Sequence, residues 1–403
     1  MLCNKNDDIS NEFETNILGY EKIGKLVKMY AIPSVISILV NALYNIVDQI
    51  FIGWGVGYLG NGATNVVFPI TIVFASFALM FGDGSAAYLS LKLGAQKKDE
   101  ASQGIGNGIL LSIVTSIIFS IFVLMFLPQL LRFFGCIPSL EQYAKAYGYI
   151  IVIGLPFMMI GTTINSIIRA DGNPRYAMMT MFTGAILNII LDPIFIFIFH
   201  LGVSGAALAT IISQIISFIL NYRYLKKLQT VDIKKCFQFD ITIAKKVMSL
   251  GISSFVTQMS GALIMGIQNN LLVKYGALSI YGSEIPITVL GIVMKINEII
   301  NSIVLGLAMG SQPIIGYNYG AKNFDRVKET LKIVITISLL LSLVIFVLFQ
   351  TIPKQLILLF GNSENPLYLE FAQLSFRVYL LFIIGNGFQI PVSIFLQAIG
   401  KSV

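Results

Sequence analysis

Charge is scarce in this sequence. Asp, Glu, Lys and Arg make up 12% of its 403 residues, about half the share of an average soluble domain. Histidine and tryptophan occur once each, and cysteine three times. Cys3, Cys136 and Cys236 have no short spacing and His200 stands alone, so neither a disulfide framework nor a Cys/His metal site is expected. No Ser/His set points to an enzyme. The N-terminal stretch lacks the basic start and short apolar core of a cleavable signal peptide. The net charge is +7, but the basic residues are dispersed between apolar runs, which argues against nucleic acid as a partner.

What is abundant is apolar sequence: 56% of the residues are hydrophobic and the mean hydropathy is +0.81. Runs of the length that crosses a bilayer, about 20 residues, recur between charged and Gly/Pro breaks. They predict ten helices, at 27–52, 64–91, 104–128, 143–168, 176–199, 204–224, 246–273, 286–317, 330–350 and 370–397, and hence an all-α integral membrane protein. Most of the 27 Lys and Arg fall in the N-terminal stretch, in the loops after the second, fourth, sixth and eighth helices, and at Lys401. Arg132, Lys145, Lys274 and Lys354 are the exceptions in the opposite loops. Positive residues favour the cytoplasmic side, which predicts a multi-pass protein with both ends in the cytoplasm.

The second half of the chain echoes the first. "FGDGSAAYLSLKLGAQKKDEA" (81–101) aligns with "LAMGSQPIIGYNYGAKNFDRV" (307–327), "RADGNP" (169–174) with "QAIGKS" (397–402), and the first helix from Ile32 with the seventh from Ile252. Three matches in order at nearly constant offset indicate an internal repeat. Six helices per repeat give both copies the same orientation, as in parallel-repeat transporters with a cleft between two bundles. The expected organisation is a cytoplasmic tail (1–26), an amino-terminal lobe (27–224), a basic amphipathic linker along the membrane surface (225–245) and a carboxy-terminal lobe (246–403). The second lobe has four helices where the repeat arithmetic asks for six, so either the gene is cut short or ten helices suffice.

Several polar residues interrupt these helices. A carboxylate at mid-bilayer costs about 2.5 kcal/mol or more, so such residues mark ion or substrate paths. Asn41, Tyr44, Asn45 and Asp48 share one face of the first helix. Asn188 and Asp192 are spaced i, i+4 on the fifth helix, Thr210 and Gln214 on the sixth, and Asn165 lies on the fourth. Convergent oxygens of this kind suit a hard cation or a shared proton. By the repeat, Asp48 corresponds to Gln268, so the acid belongs to one lobe only. Lys295 and Glu298, spaced i, i+3 on the eighth helix, form a possible intramembrane ion pair. Asp83 is expected to be solvated or to pair with Lys92. Pro33, on the helix of Asp48, reads as a kink or a hinge.

These segments resemble the MATE (multidrug and toxic compound extrusion) family, in particular its bacterial MepA-like branch. The resemblance rests on "YNIVDQIFIG", "SLKLGAQ", "INSIIRADGNP", "NIILDPIFIF", "SGAALATIISQ" and "GSQPIIGYNYGA", and runs from about residue 25 to the end. It implies two lobes around a V-shaped cleft, six helices plus four here where the family has six plus six. It also implies antiport of organic cations or amphipathic drugs against Na⁺ or H⁺ by alternating access, by a monomer in the bacterial plasma membrane and without a cofactor. Matched position by position, Asp48, Asn188, Asp192 and Thr210 correspond to its cation site, Asn41, Tyr44 and Asn165 to the substrate-cleft lining, and Pro33 to its hinge. The acid that some members carry on the seventh helix is absent. The alternatives are a flippase or exporter of a lipid-linked precursor built on the same plan, and the remnant of a truncated gene.

Overall fold

The computed structural model describes residues 16–136, 138–231, 238–282, 284–358 and 366–401. Ten helices among them are long and apolar enough to cross a membrane. They are α1 (Ile23–Val56), α2 (Tyr58–Gly94), α3 (Lys98–Phe133), α4 (Pro138–Ala170), α5 (Pro174–Pro193), α6 (Gly202–Leu225), α7 (Ile241–Ala277), α8 (Glu284–Gly320), α9 (Phe324–Thr351) and α10 (Pro366–Ala398). Every predicted span is present. Most extend past the sequence boundaries by several residues, because charged and glycine-bearing ends such as Lys98–Gly104 continue the helix where hydropathy has already fallen. The expected tail boundary also shifts: residues 1–15 lie outside the described residues, a short turn at Ile17–Tyr20 precedes α1, and α1 begins at Ile23.

Local chemistry sets the ends. Asn173 caps α5 by accepting from the Tyr176 N–H, with Pro174 in the first turn, and Asp240 caps α7 by accepting from Thr242 and Ile243. Both satisfy N–H groups that a helix leaves unpaired. Pro33 sits buried inside a continuous α1, and the Ser37 hydroxyl donates to its carbonyl at 2.8 Å. A wide band of α3, including Ile117, Ile118, Ile121, Phe122 and Met125, is exposed. In a multi-pass membrane protein that band is the lipid-facing surface.

Helices α1–α6 form one bundle and α7–α10 the other. The bundles meet at the end that carries the basic loops, and there glycine allows backbone to touch backbone. A Cβ at Gly84 or Gly251 would collide with the facing carbonyl of Val247 or Met80, and one at Gly306 or Gly310 with the backbone of Val35 or Ala31. Small residues at helix crossings permit such approach, and dispersion over the contact is what holds helices together in lipid. Toward the other end the helices part: a methyl group on Gly261 of α7 or Gly291 of α8 would meet nothing within 4 Å.

The linker keeps close company with the first bundle. Asp171, in the turn between α4 and α5, accepts from the Tyr224 hydroxyl, the backbone N–H of Gln229 and Thr230, and the Thr230 hydroxyl. Burial pushes the Asp171 carboxyl above the ordinary range, although these four donors oppose the shift. At the far end Asn107 of α3 donates to the Gln238 carbonyl and accepts from the Asp240 N–H. Residues 232–237 of the expected linker lie outside the described residues.

Candidate cation site and lobe contact

Asp48 on α1, Asn188 and Asp192 on α5 and Thr210 on α6 converge inside the first bundle. The Asn188 amide donates to Asp192 Oδ1 at 3.3 Å and to Thr210 Oγ1 at 3.4 Å. The Asp48 and Asp192 carboxyls lie within hydrogen-bonding reach of each other. Asp192 and Asn188 are 0% and 1% exposed, so water is excluded from both. Three oxygens here, Asp48 Oδ1, Asn188 Oδ1 and Asp192 Oδ2, are buried with no hydrogen-bond donor. Buried acceptors are almost always paired, and three oxygens left without a donor invite a positive charge. Asp192 also directly precedes Pro193 and a π-helical turn at Ile194–Ile198. Such turns interrupt regular helices and recur at functional sites.

Asn41 and Tyr44 stand beside this cluster and line a cavity of about 90 Å³ within the first bundle, together with Asn188, Thr210 and Gln214. Asn165 is not on that cavity. It is buried against α5, its amide donating to the Ala177 carbonyl at 2.9 Å and to Thr180 at 3.1 Å, while its oxygen accepts from Arg169. A helix-wheel position alone does not tell a lining residue from a buttress. Tyr147 on α4 escapes sequence reasoning, yet its hydroxyl lies within electrostatic reach of Asp48 and Asp192. The sequence holds little signal for it, since Tyr147 stands two residues after Lys145 at the charged start of the apolar run.

Asp83 corrects another expectation. It is 2% exposed, not solvated, and Lys92 instead pairs with Glu100. Asp83 Oδ1 accepts from Ser166 at 3.0 Å and faces Arg169 at 3.6 Å, both on α4. Its Oδ2 accepts from Ser254 of α7, across the lobe boundary, at 3.0 Å. Gln397 of α10 donates to Ser254 at 3.1 Å and to the Leu250 carbonyl at 3.0 Å, and accepts from Gln312 of α8 at 3.3 Å. A carboxylate of one lobe is thus fastened to three helices of the other. Lys295 and Glu298 are both exposed on α8. No ion pair joins them among the described residues, so the expected intramembrane pair is not closed.

The MatE family model matches residues 33–194 and 271–403, most of the chain. The chain belongs to the MATE family. As a member it is a membrane transporter and not an enzyme. Among curated relatives, the multidrug export protein MepA of Staphylococcus haemolyticus is 28% identical over 94% of this chain and 82% of its own length. The MepA of Staphylococcus aureus strain MSSA476 is 27% identical over the same shares. Among solved structures, a MOP superfamily transporter from Pyrococcus furiosus superposes with a TM-score of 0.87 at 25% identity, covering 96% of this chain and 85% of that one. An outward-facing multidrug resistance MATE transporter gives 0.86 at 25% identity, covering 94% and 83%.

Proposed function

We propose that the protein is a secondary multidrug exporter that antiports organic cations or amphipathic drugs against Na⁺ or H⁺. The observation that carries this reading is the set of three buried, donorless oxygens on Asp48, Asn188 and Asp192. Two carboxyls so close in low dielectric repel unless a cation or a proton lies between them. Thr210 and the tyrosine hydroxyls complete an oxygen environment suited to either ion. The relatives named as multidrug export proteins support the drug-efflux half of the reading.

The coupling follows from geometry. With the lobes parted at the end away from the basic loops, the site takes its ion from outside. Tyr44 belongs both to the ion cluster and to the adjoining cavity, so neutralising Asp48 and Asp192 weakens the hold of the cavity on a bound cation. Ion and drug then favour opposite states, which is what links their fluxes. The same reading puts the protein in a bacterial plasma membrane as a monomer with both ends cytoplasmic, and Pro33 at the bend through which α1 responds to the ion.

The test is ethidium efflux from proteoliposomes under an imposed Na⁺ or pH gradient, one at a time. Efflux is expected to follow one of the two gradients and to be lost in Asp48→Asn. Gradient-driven efflux by Asp48→Asn at the parental rate would overturn the assignment.

A further inference from the structure

A second cavity, of about 380 Å³, lies at the end of the molecule that carries the basic loops. Tyr30 of α1, Gln96 and Lys98 at the α2–α3 turn, Asp171 and Gly172 at the α4–α5 turn, and Tyr317 of α8 border it. A water takes up about 30 Å³ of liquid, so the space exceeds a bridging water or two. It falls within the range of about 300–1,000 Å³ that holds small-molecule ligands. Its walls come from both lobes. A Cβ at Gly94 of α2 would collide with the Tyr317 carbonyl, so the two bundles touch through backbone beside the cavity. The Leu18 carbonyl, of another residue on its wall, accepts from Asn318 of α8 at 3.0 Å and from Arg326 of α9 at 3.1 Å.

The wall is rich in donors. Tyr30 is 0% exposed, and its hydroxyl has no hydrogen-bond partner among the described residues. That hydroxyl reaches the Gly172 turn, where a Cβ would come within 3.6 Å of it. Buried polar groups are nearly always paired, so an unpaired hydroxyl on a ligand-sized space points to a ligand. Lys98 is the first residue of α3, and Lys97 before it makes no side-chain cap. A helix start leaves N–H groups unpaired and favours negative charge, and Lys98 adds its ammonium there. Neither Asp99 nor Glu100 of that first turn is on the wall, and Glu100 pairs with Lys92 and Lys97. Asp171 is an acid on the wall, but its oxygens already accept from Tyr224, Gln229 and Thr230.

We propose that this cavity binds a phosphomonoester from the side of the basic loops, and that binding holds the lobes together at that end. The Tyr30 hydroxyl, the Lys98 ammonium and the start of α3 take the phosphate oxygens, and the Gln96 amide adds a neutral contact. Three donors of this kind suit a phosphate, whose oxygens accept several charge-assisted hydrogen bonds at once. Parting the lobes here carries Tyr317 away from Lys98 and Gly172 and dismantles the cavity. The ligand therefore binds the closed arrangement better, and shifts the equilibrium toward it by that difference in affinity. The inference rests on the alternating-access part of the exporter reading and on neither its ion nor its drug.

Two probes test this on the full chain: glycerol 3-phosphate added to the protein in detergent, and phosphatidic acid added to phosphatidylcholine nanodiscs that hold it. The readout is alkylation of a cysteine placed at Val247, which is buried where α7 meets Gly84 of α2. At least one probe is expected to slow alkylation several-fold. Slowing by glycerol 3-phosphate identifies a soluble ester, and slowing by phosphatidic acid alone identifies a lipid headgroup. Tyr30→Phe keeps the ring and is expected to raise the half-effective concentration about fivefold, and Lys98→Met about tenfold. That concentration is a property of the folded molecules, so partial loss of folded protein does not move it. Alkylation that neither probe slows, or a half-effective concentration unchanged in both variants, overturns the proposal and leaves the exporter reading standing. A cysteine that never alkylates shows that the lobes do not part at this end, and removes both readings.

Discussion

Asp48 and Asp192 are two acids held in one dry site, and removing one of them tests what the other requires. Asp192→Asn relieves the repulsion and places an amide donor beside the Asp48 carboxyl. It is expected to raise thermal stability by about 1 kcal/mol or more in the absence of Na⁺ at high pH, while abolishing ion-driven efflux. Differential scanning fluorimetry beside the transport assay separates the two effects. Tyr147→Phe keeps the ring and removes only the hydroxyl near both acids, and a loss of several-fold in ion affinity with intact folding is expected. Asp171 is a test outside the membrane. Its folded-state carboxyl titrates above the ordinary value, so the folded protein holds the proton more tightly than the unfolded chain. The contribution of this group to stability is therefore greatest at acid pH and falls as pH rises from about 4 toward the raised value. Unfolding of the parent relative to Asp171→Asn across that range should show the decline.

Among the elements, α1 and α8 are the most legible as helices and the least legible as a pair. Hydropathy marks both spans, and the face carrying Asn41, Tyr44 and Asp48 follows from spacing alone. What spacing cannot supply is distance: that Asn188 would reach Thr210, or that Asn165 would turn away to Ala177, depends on how α4, α5 and α6 cross. Asp83 is the sharpest case. As sequence it sits near a basic loop with Lys92 nine residues on, and local pairing is the natural expectation. The glycine contacts between α2 and α7 bring Ser254 to it instead, a partner 171 residues away. Gly310→Leu would wedge α8 from α1, and transport is expected to fall by at least tenfold while the protein remains membrane-inserted. Activity and surface labelling of the same preparation check this.

For the whole molecule, the internal repeat explains more than the helix count. Arg169 and Gln397 occupy corresponding positions in the two copies, and both end up in the polar network between the lobes, one holding Asp83 and the other Ser254. The repeat predicts the equivalence, whereas the meeting of the two at one interface depends on how the bundles dock. Asp48 and Gln268 are likewise equivalent in sequence, yet among the described residues the acidic cluster forms only around Asp48, where α5 and α6 bring Asn188, Asp192 and Thr210. Ser254→Ala removes the inter-lobe hydrogen bond to Asp83 and one bond from Gln397 within the second bundle, where Gln397 keeps its bond to the Leu250 carbonyl. It is expected to raise the population with the basic end open, read as faster alkylation of a cysteine placed at Val247 against the same cysteine in an otherwise parental chain.

The charge in that contact lies wholly on one side. Asp83 has its counter-ion, Arg169, within its own bundle, and the second bundle offers only hydroxyl and amide groups. Parting the lobes here separates neutral donors from an anion that keeps its cation, and no pair of opposite charges is pulled apart. The step should therefore respond little to ionic strength, since screening acts on separated charges. A rate of lobe opening that changes only slightly between low and high salt, at fixed ion gradient, would be its kinetic signature.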